Sequence, residues 1–164
     1  DVAEFLVQDG ESPTEDLDLW RREWGVGDPA QVPGGLAPQG PQPSPPARAV
    51  YLLQRKAEKP GRSLGKTTGW IHRAALAMKA VTLRGGVTYD AIVPEGLRIS
   101  TADGPELLAV DTVVLCAGQL PAHGLAEALT QAGIAHHIIG GADVAAELDA
   151  KRAIDQGARL AAIL

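Results

Sequence analysis

Three stretches of this chain hold residue types at spacings that can do chemistry. The first is Asp111-Thr-Val-Val-Leu-Cys-Ala-Gly118, an apolar run that closes on the small residues Ala117 and Gly118. A buried strand ending in small residues lets another molecule come close to its backbone. The second is His136-His-Ile-Ile-Gly-Gly-Ala-Asp143, which runs without a break into Val144-Ala-Ala-Glu-Leu-Asp-Ala-Lys-Arg. A strand that stops at Gly140-Gly141-Ala-Asp143, with a helix expected from Val144, sets a carboxylate acceptor beside bare backbone N–H groups. That pairing suits a polyol next to a phosphate or an electron-rich ring. Alone, Asp143 would read as a helix N-cap, a role Asp fills anywhere. Ala117-Gly118 upstream is what turns the reading towards a ligand.

The third stretch is Arg55-Lys56, placed directly after the apolar run Ala49-Val-Tyr-Leu-Leu-Gln54. Ligands of α/β sheets bind at the C-terminal ends of the strands. In a dinucleotide fold, an acidic residue at this point takes the ribose 2′-hydroxyl and basic residues accommodate a 2′-phosphate. Arg55 and Lys56 therefore suit NADP better than NAD, the plainer alternative being a solvated basic loop. Downstream, Gly61-Arg-Ser-Leu-Gly65-Lys66-Thr67 invites comparison with a nucleotide-triphosphate loop. The first glycine of G-x-x-x-x-G-K-[ST] would have to fall on Pro60, which also lacks the N–H that such a cradle uses. Lys66 is better read as a supporting phosphate contact on a Gly-rich loop. His72, His123, His136 and His137 show no ligand spacing, so no metal site is expected. Cys116 sits inside an apolar run and reads as a small buried hydrophobe.

These residues need a scaffold, and the chain supplies the pattern of one. Short helices are predicted at 1–7 and 15–24, the second capped by Ser12 or Thr14 and stopped at Gly25. Residues 27–47 are Pro- and Gly-rich with no period of their own, a long insertion that is either a surface excursion or functional. A buried strand at 49–54, a helix at 70–79 and a strand at 80–83 follow. Segments at 87–93 and 97–101 form a meander, and 107–115 returns as a parallel strand. A helix at 124–131, a strand at 137–139 and a terminal helix from Val144 complete the order. Mixed order of this kind means α/β. The expected sheet sets 49–54 parallel to 81–83, and 112–116 beside 138–139 in another layer or domain.

With 164 residues, 45 % of them hydrophobic and 21 % charged, the chain has material for a core, though aromatics are only 4 %. A net charge of −5 argues against a nucleic-acid surface. One cysteine excludes an internal disulfide and any cluster held by several thiolates of this chain. No run approaches the length of a membrane span. The start, Asp1-Val-Ala-Glu-Phe-Leu, has no signal-peptide layout, and a cytoplasmic location is expected.

One long match binds these readings together. Leu53-Gln-Arg-Lys-Ala-Glu-Lys-Pro-Gly-Arg-Ser-Leu-Gly-Lys-Thr-Thr-Gly-Trp-Ile-His-Arg73 resembles the NADPH domain of bacterial 2,4-dienoyl-CoA reductases. So do 108–119 and Gly140-Gly-Ala-Asp-Val-Ala-Ala-Glu-Leu-Asp-Ala-Lys-Arg-Ala-Ile154, and the similarity extends to Glu23-Trp-Gly25 and 34–40 in the insertion. Proteins of that family are similar to old yellow enzyme in an N-terminal barrel that carries FMN and a 4Fe-4S cluster. Their C-terminal half binds FAD and NADPH.

The resemblance implies partial Rossmann-like domains: residues 1–108 as the remainder of the NADPH domain, and 109–164 as the closing segment of the FAD domain. It places the Gly-rich turn of the NADPH domain, with its strand, before Asp1, and it puts the barrel outside the chain as a missing partner. It assigns Arg55, Lys56 and Lys66 to NADPH. It assigns Ala117, Gly118, Gly141, Asp143 and Val144 to FAD, with the helix from Val144 aiming its positive end at the flavin. The implied activity is hydride transfer from NADPH to FAD in fatty-acid β-oxidation, with no catalysis by the isolated chain and association of copies through an open sheet edge. Alternatives are the same module from another enoate reductase or an amine dehydrogenase, or a non-catalytic module docking through its Pro-rich segment.

Overall fold

The computed structural model describes residues 1–146 and 149–164. The chain is α/β and divides into two units, Asp1–Thr112 and Val113–Leu164. Among the described residues no helix is long and apolar enough to cross a membrane.

The first unit opens with helices α1, Val2–Val7, and α2, Leu17–Trp24. The cap of α2 is Asp16, whose Oδ1 accepts from the backbone N–H groups of Asp18 and Leu19 at 2.9 Å each. Ser12 and Thr14, the expected caps, bond to each other instead at 2.7 Å. Asp16 has the extended backbone that a cap requires. Gly25 ends α2 in the left-handed region at φ 67°, and a Cβ there would lie 2.5 Å from the Pro41 nitrogen. It therefore stops the helix and makes room for the returning insertion.

Strands β1, Tyr51–Leu53, and β2, Thr82–Arg84, pair in parallel with Tyr51 opposite Thr82 and Leu53 opposite Arg84. Helix α3, Gly69–Met78, makes the crossover that parallel strands demand. The ladder extends past the strand ends: the Thr82 amide donates to Val50 O and the Gln54 amide to Arg84 O, both at 3.0 Å. The core beneath is Ala3, Val7, Leu76 and Val81, with Val50, Leu52 and Leu83 against it.

The insertion is folded, not loose. Val26 and Leu36 form an antiparallel bridge, the Gln42 amide donates to Arg22 O, and the Ala47 amide donates to Val7 O. Its strongest anchor is Lys79, at the C-terminal end of α3. Lys79 Nζ donates to Ser44 O at 2.9 Å and Ser44 Oγ at 2.6 Å, and pairs with Glu23 Oε1 at 2.9 Å. Lys79 and Glu23 are only 7 % and 8 % exposed, so this charge pair is buried.

Strands β3, Thr88–Val93, β4, Gly96–Thr101, and β5, Gly104–Leu108, form an antiparallel meander with Ile99 fully buried on β4. The β3–β4 register breaks between Tyr89 and Ala91, and the bulged Asp90 accepts from Ser100 Oγ at 2.8 Å. The expected parallel strand at 107–115 is not formed. The turn at 102–103 pairs 104–108 with β4 instead, and the strand ends at Leu108. Proline is tolerated at position 105 because β5 is an edge strand.

Arg84 and Glu106 join β2 to β5 at 2.7 Å. The hydrogen bond from Arg84 holds the Glu106 carboxyl below its ordinary 4.5, outweighing a small desolvation. A carboxyl lowered on folding contributes stability above its unfolded value and loses it as pH falls through the folded value. Acidification below about 4.5 is thus expected to release this link, and Glu106→Gln to flatten that part of a stability-against-pH curve. An unchanged acid limb in the variant would show that the bridge contributes nothing.

In the second unit, α4 is Gly124–Gln131 and α5 is Ala150–Ala161, with a 3₁₀ turn at Gly140–Ala142. The expected pairing of 112–116 with 138–139 is absent: neither segment enters a ladder among the described residues. Two short strands without further partners lack the burial that sustains a sheet. Leu115 is 79 % and Leu120 90 % exposed, and Cys116 is exposed rather than buried. The terminal helix begins at Ala150, not Val144. Asp149 has the extended cap backbone and its Oδ1 accepts from the Arg152 amide at 2.7 Å. Residues 147–148 of the expected helix lie outside the described residues.

Candidate functional site

The basic loop of the first unit is built from Gln54. Its side-chain Nε2 donates to Lys56 O at 3.1 Å and Glu58 O at 2.6 Å, which curls the chain as it leaves β1. The Gly86 amide donates to Lys56 O at 2.8 Å, fixing the curl to the end of β2. Gly85 makes this possible, because a Cβ there would run into the carbonyls of Lys56, Ala57 and Glu58. Arg55 and Lys56 are exposed on this curl, at the C-terminal end of a parallel strand. Among the described residues Arg55 makes no hydrogen bond or ion pair.

The loop then runs to α3. Arg73 Nη1 donates to Gly61 O at 2.9 Å, Trp70 Nε1 donates to Thr67 O at 3.0 Å, and Gly69 packs so tightly on Leu64 that a Cβ would lie 2.7 Å from its side chain. Lys66 is exposed on the same loop. One β1-to-α3 connection therefore carries all three basic residues singled out in the sequence. A 2′-phosphate needs charged donors on an accessible strand end, and these residues fit it.

In the second unit, Ala117 and Gly118 lie on the exposed extended segment. Gly118 has φ 109° and an ideal Cβ would meet nothing within 4 Å, so its backbone is open to close approach. Gly141 is within the 3₁₀ turn, and Asp143 and Val144 follow it, both exposed. Asp143 does not cap a helix. Its Oδ2 accepts from Gln156 Nε2 at 2.8 Å. An exposed carboxylate keeping its other oxygen available fits a polyol hydroxyl. The positive end of α5 is not available as expected, since Asp149 already occupies it. No hydrogen bond links the 117–118 segment to the 140–144 turn among the described residues.

Sequence reasoning missed Gln156 and Arg152. Arg152 Nη2 donates to Val144 O at 2.6 Å and Ala146 O at 3.1 Å. Both side chains project from α5 one turn apart, a spacing that was visible but whose target was not. It also gave no role to His72, whose Nδ1 lies 2.8 Å from Glu4 Oε1. Burial works against ionisation of Glu4, but the bond to His72 and the neighbouring amine prevail and its carboxyl is lowered.

No family model matches this sequence. Among solved structures, the fold is similar to that of a 2-naphthoyl-CoA reductase in complex with 2-naphthoyl-CoA, with a TM-score of 0.55 and 23 % identity over 67 % of this chain. The chain spans 16 % of the length of that protein. The likeness establishes a fold shared with part of a solved CoA-ester reductase.

Proposed function

We propose that this chain is the part of an NADPH-dependent, flavin-containing 2,4-dienoyl-CoA reductase that positions NADPH and FAD for hydride transfer, working in the cytoplasm. The observation that carries the reading is the basic loop at the C-terminal end of β1, with Arg55 exposed and without a partner among the described residues. The fold likeness to a CoA-ester reductase supports it. Residues 1–108 serve NADPH and 109–164 serve FAD. Arg55 and Lys56 hold the 2′-phosphate, and Lys66 supports the phosphates from the Gly-rich loop. Ala117 and Gly118 admit the flavin close to the backbone, Gly141 opens the turn, and Asp143 accepts from a ribitol hydroxyl beside Val144. When bound, FAD supplies the redox chemistry by taking hydride from the nicotinamide. This chain's residues bind and orient. The barrel, FMN and the 4Fe-4S cluster belong to the rest of the reductase.

The test is the full-length protein with Arg55 and Lys56 both made neutral. A charge-assisted contact to phosphate contributes about 1.5–3 kcal/mol. The Michaelis constant for NADPH is expected to rise at least about tenfold, with that for NADH nearly unchanged. Equal losses for both nucleotides would show that the pair acts structurally and would remove the support for NADP.

A further inference from the structure

Gln156 holds two groups at once. Its Oε1 accepts from the Gly140 amide at 2.7 Å, and its Nε2 donates to Asp143 Oδ2 at 2.8 Å. A backbone N–H only donates and an ionised carboxylate only accepts, so the orientation of the amide is unambiguous. Few side chains can do this: it takes one acceptor and one donor on the same uncharged end. Glutamate would set a second carboxylate against Asp143, and a hydrocarbon would leave both groups without their bond. One helical turn earlier, Arg152 grips the carbonyls of Val144 and Ala146. The 140–146 turn is thus held from α5 at both ends, although Gly140 and Ala145 are its only buried residues.

We infer that Gln156 is a positioning residue for ligand binding: it sets the Asp143 carboxylate for a polyol hydroxyl and holds the Gly140 turn at the height that this carboxylate requires. The inference rests on the flavin reading above. Gln156 does not touch the ligand. It acts by fixing one carboxylate oxygen and leaving the other open. A preorganised acceptor binds more tightly than one that must be ordered by the ligand.

The experiment uses the full-length protein with Gln156→Met, Gln156→Glu, Asp143→Ala and the Asp143→Ala/Gln156→Met pair. Two quantities are measured: the FAD dissociation constant, and hydrogen exchange at the Gly140 amide in the flavin-free protein. Gln156→Met is expected to weaken FAD at least about tenfold, as loss of a bond to a charged group does. Because it acts through Asp143, the double variant should be no weaker than Asp143→Ala alone. Gly140 exchange should be fast in Gln156→Met and remain slow in Gln156→Glu, which keeps the acceptor but repels Asp143, while FAD is weakened in both. NADPH affinity should not move in any variant, which separates positioning from general unfolding. Losses that multiply in the double variant, or Gly140 exchange unchanged by Gln156→Met, would overturn the inference with the flavin reading intact. A full-length protein that takes up no FAD would overturn the flavin reading itself, and the exchange result would still decide whether the bridge exists.

Discussion

Lys79→Met is expected to destabilise the first unit by about 3–5 kcal/mol, the cost of removing one partner from a buried ion pair. Its Nζ meets three oxygens, two from Ser44 and one from Glu23, and the pair is almost wholly out of water. Methionine fills the volume but leaves Glu23 charged and buried against a hydrocarbon. A domain has only about 5–15 kcal/mol in total, so the variant should melt far earlier in urea. The insertion should loosen first, because Ser44 loses its anchor. The companion variant Lys79→Met/Glu23→Leu separates charge from packing. Replacing both partners by apolar groups is often neutral, and the double variant should regain most of the loss. A double variant as unstable as the single one would mean that the bond to Ser44, not the ion pair, holds the insertion.

The second large effect concerns the 164-residue chain by itself. Purified alone, it should be colourless, and calorimetry with FAD at micromolar ligand should show no saturable heat. The reason lies in the second unit. The segments expected as strands leading to the proposed flavin contacts, 112–116 and 138–139, enter no ladder among the described residues, and Leu115, Ile138 and Ile139 are exposed. Two open cavities, of about 600 and about 310 Å³, flank 137–139, one against α5 and the other against α4. Such a segment has the two-sided apolar surroundings of a strand inside a parallel sheet, without the sheet. Ordering it on binding costs free energy that a preformed site would not lose. Each charge-assisted bond that fails to form removes about 1.5–3 kcal/mol more, so two or three such losses move micromolar affinity into the millimolar range, a change of about 4 kcal/mol. A yellow preparation with stoichiometric FAD would show that the chain completes its own site.

The elements that were legible in the sequence are those fixed by local pattern. Apolar runs marked β1 and β2 and their parallel pairing, helical spacing marked α2, α3 and α4, and Gly25 marked a helix end. What was not legible depends on distance along the chain. Nothing near Lys79 announces that it will reach Ser44 and Glu23. The strand expected at 107–115 is apolar on both sides of Asp111-Thr112, yet the turn at 102–103 captures its first part for the meander. The cap of α5 went to Asp149 rather than Asp143, which instead closes the 3₁₀ turn at Gly140–Ala142 and accepts from Gln156. Arg55-Lys56 and Lys66 were legible as two separate basic candidates after β1, but the single connection that carries them, shaped by Gln54 and Gly85, was not. Asp143 was legible as an acceptor, whereas Gln156 became visible only when α5 was seen to lie against the turn.

The meander is protected against polymerising, by different means at its two margins. On β3 the bulge at Asp90 breaks the even row of N–H and C=O groups that an incoming strand would need. On β5, Pro105 removes one donor from the row and Glu106 is engaged by Arg84. Neither margin offers a template for fibril growth. Addition of a foreign strand is therefore steered away from these three strands and towards β1, β2 and the bare segment at 137–139. In a crowded cell, misassembly would start at these open edges and not at the meander.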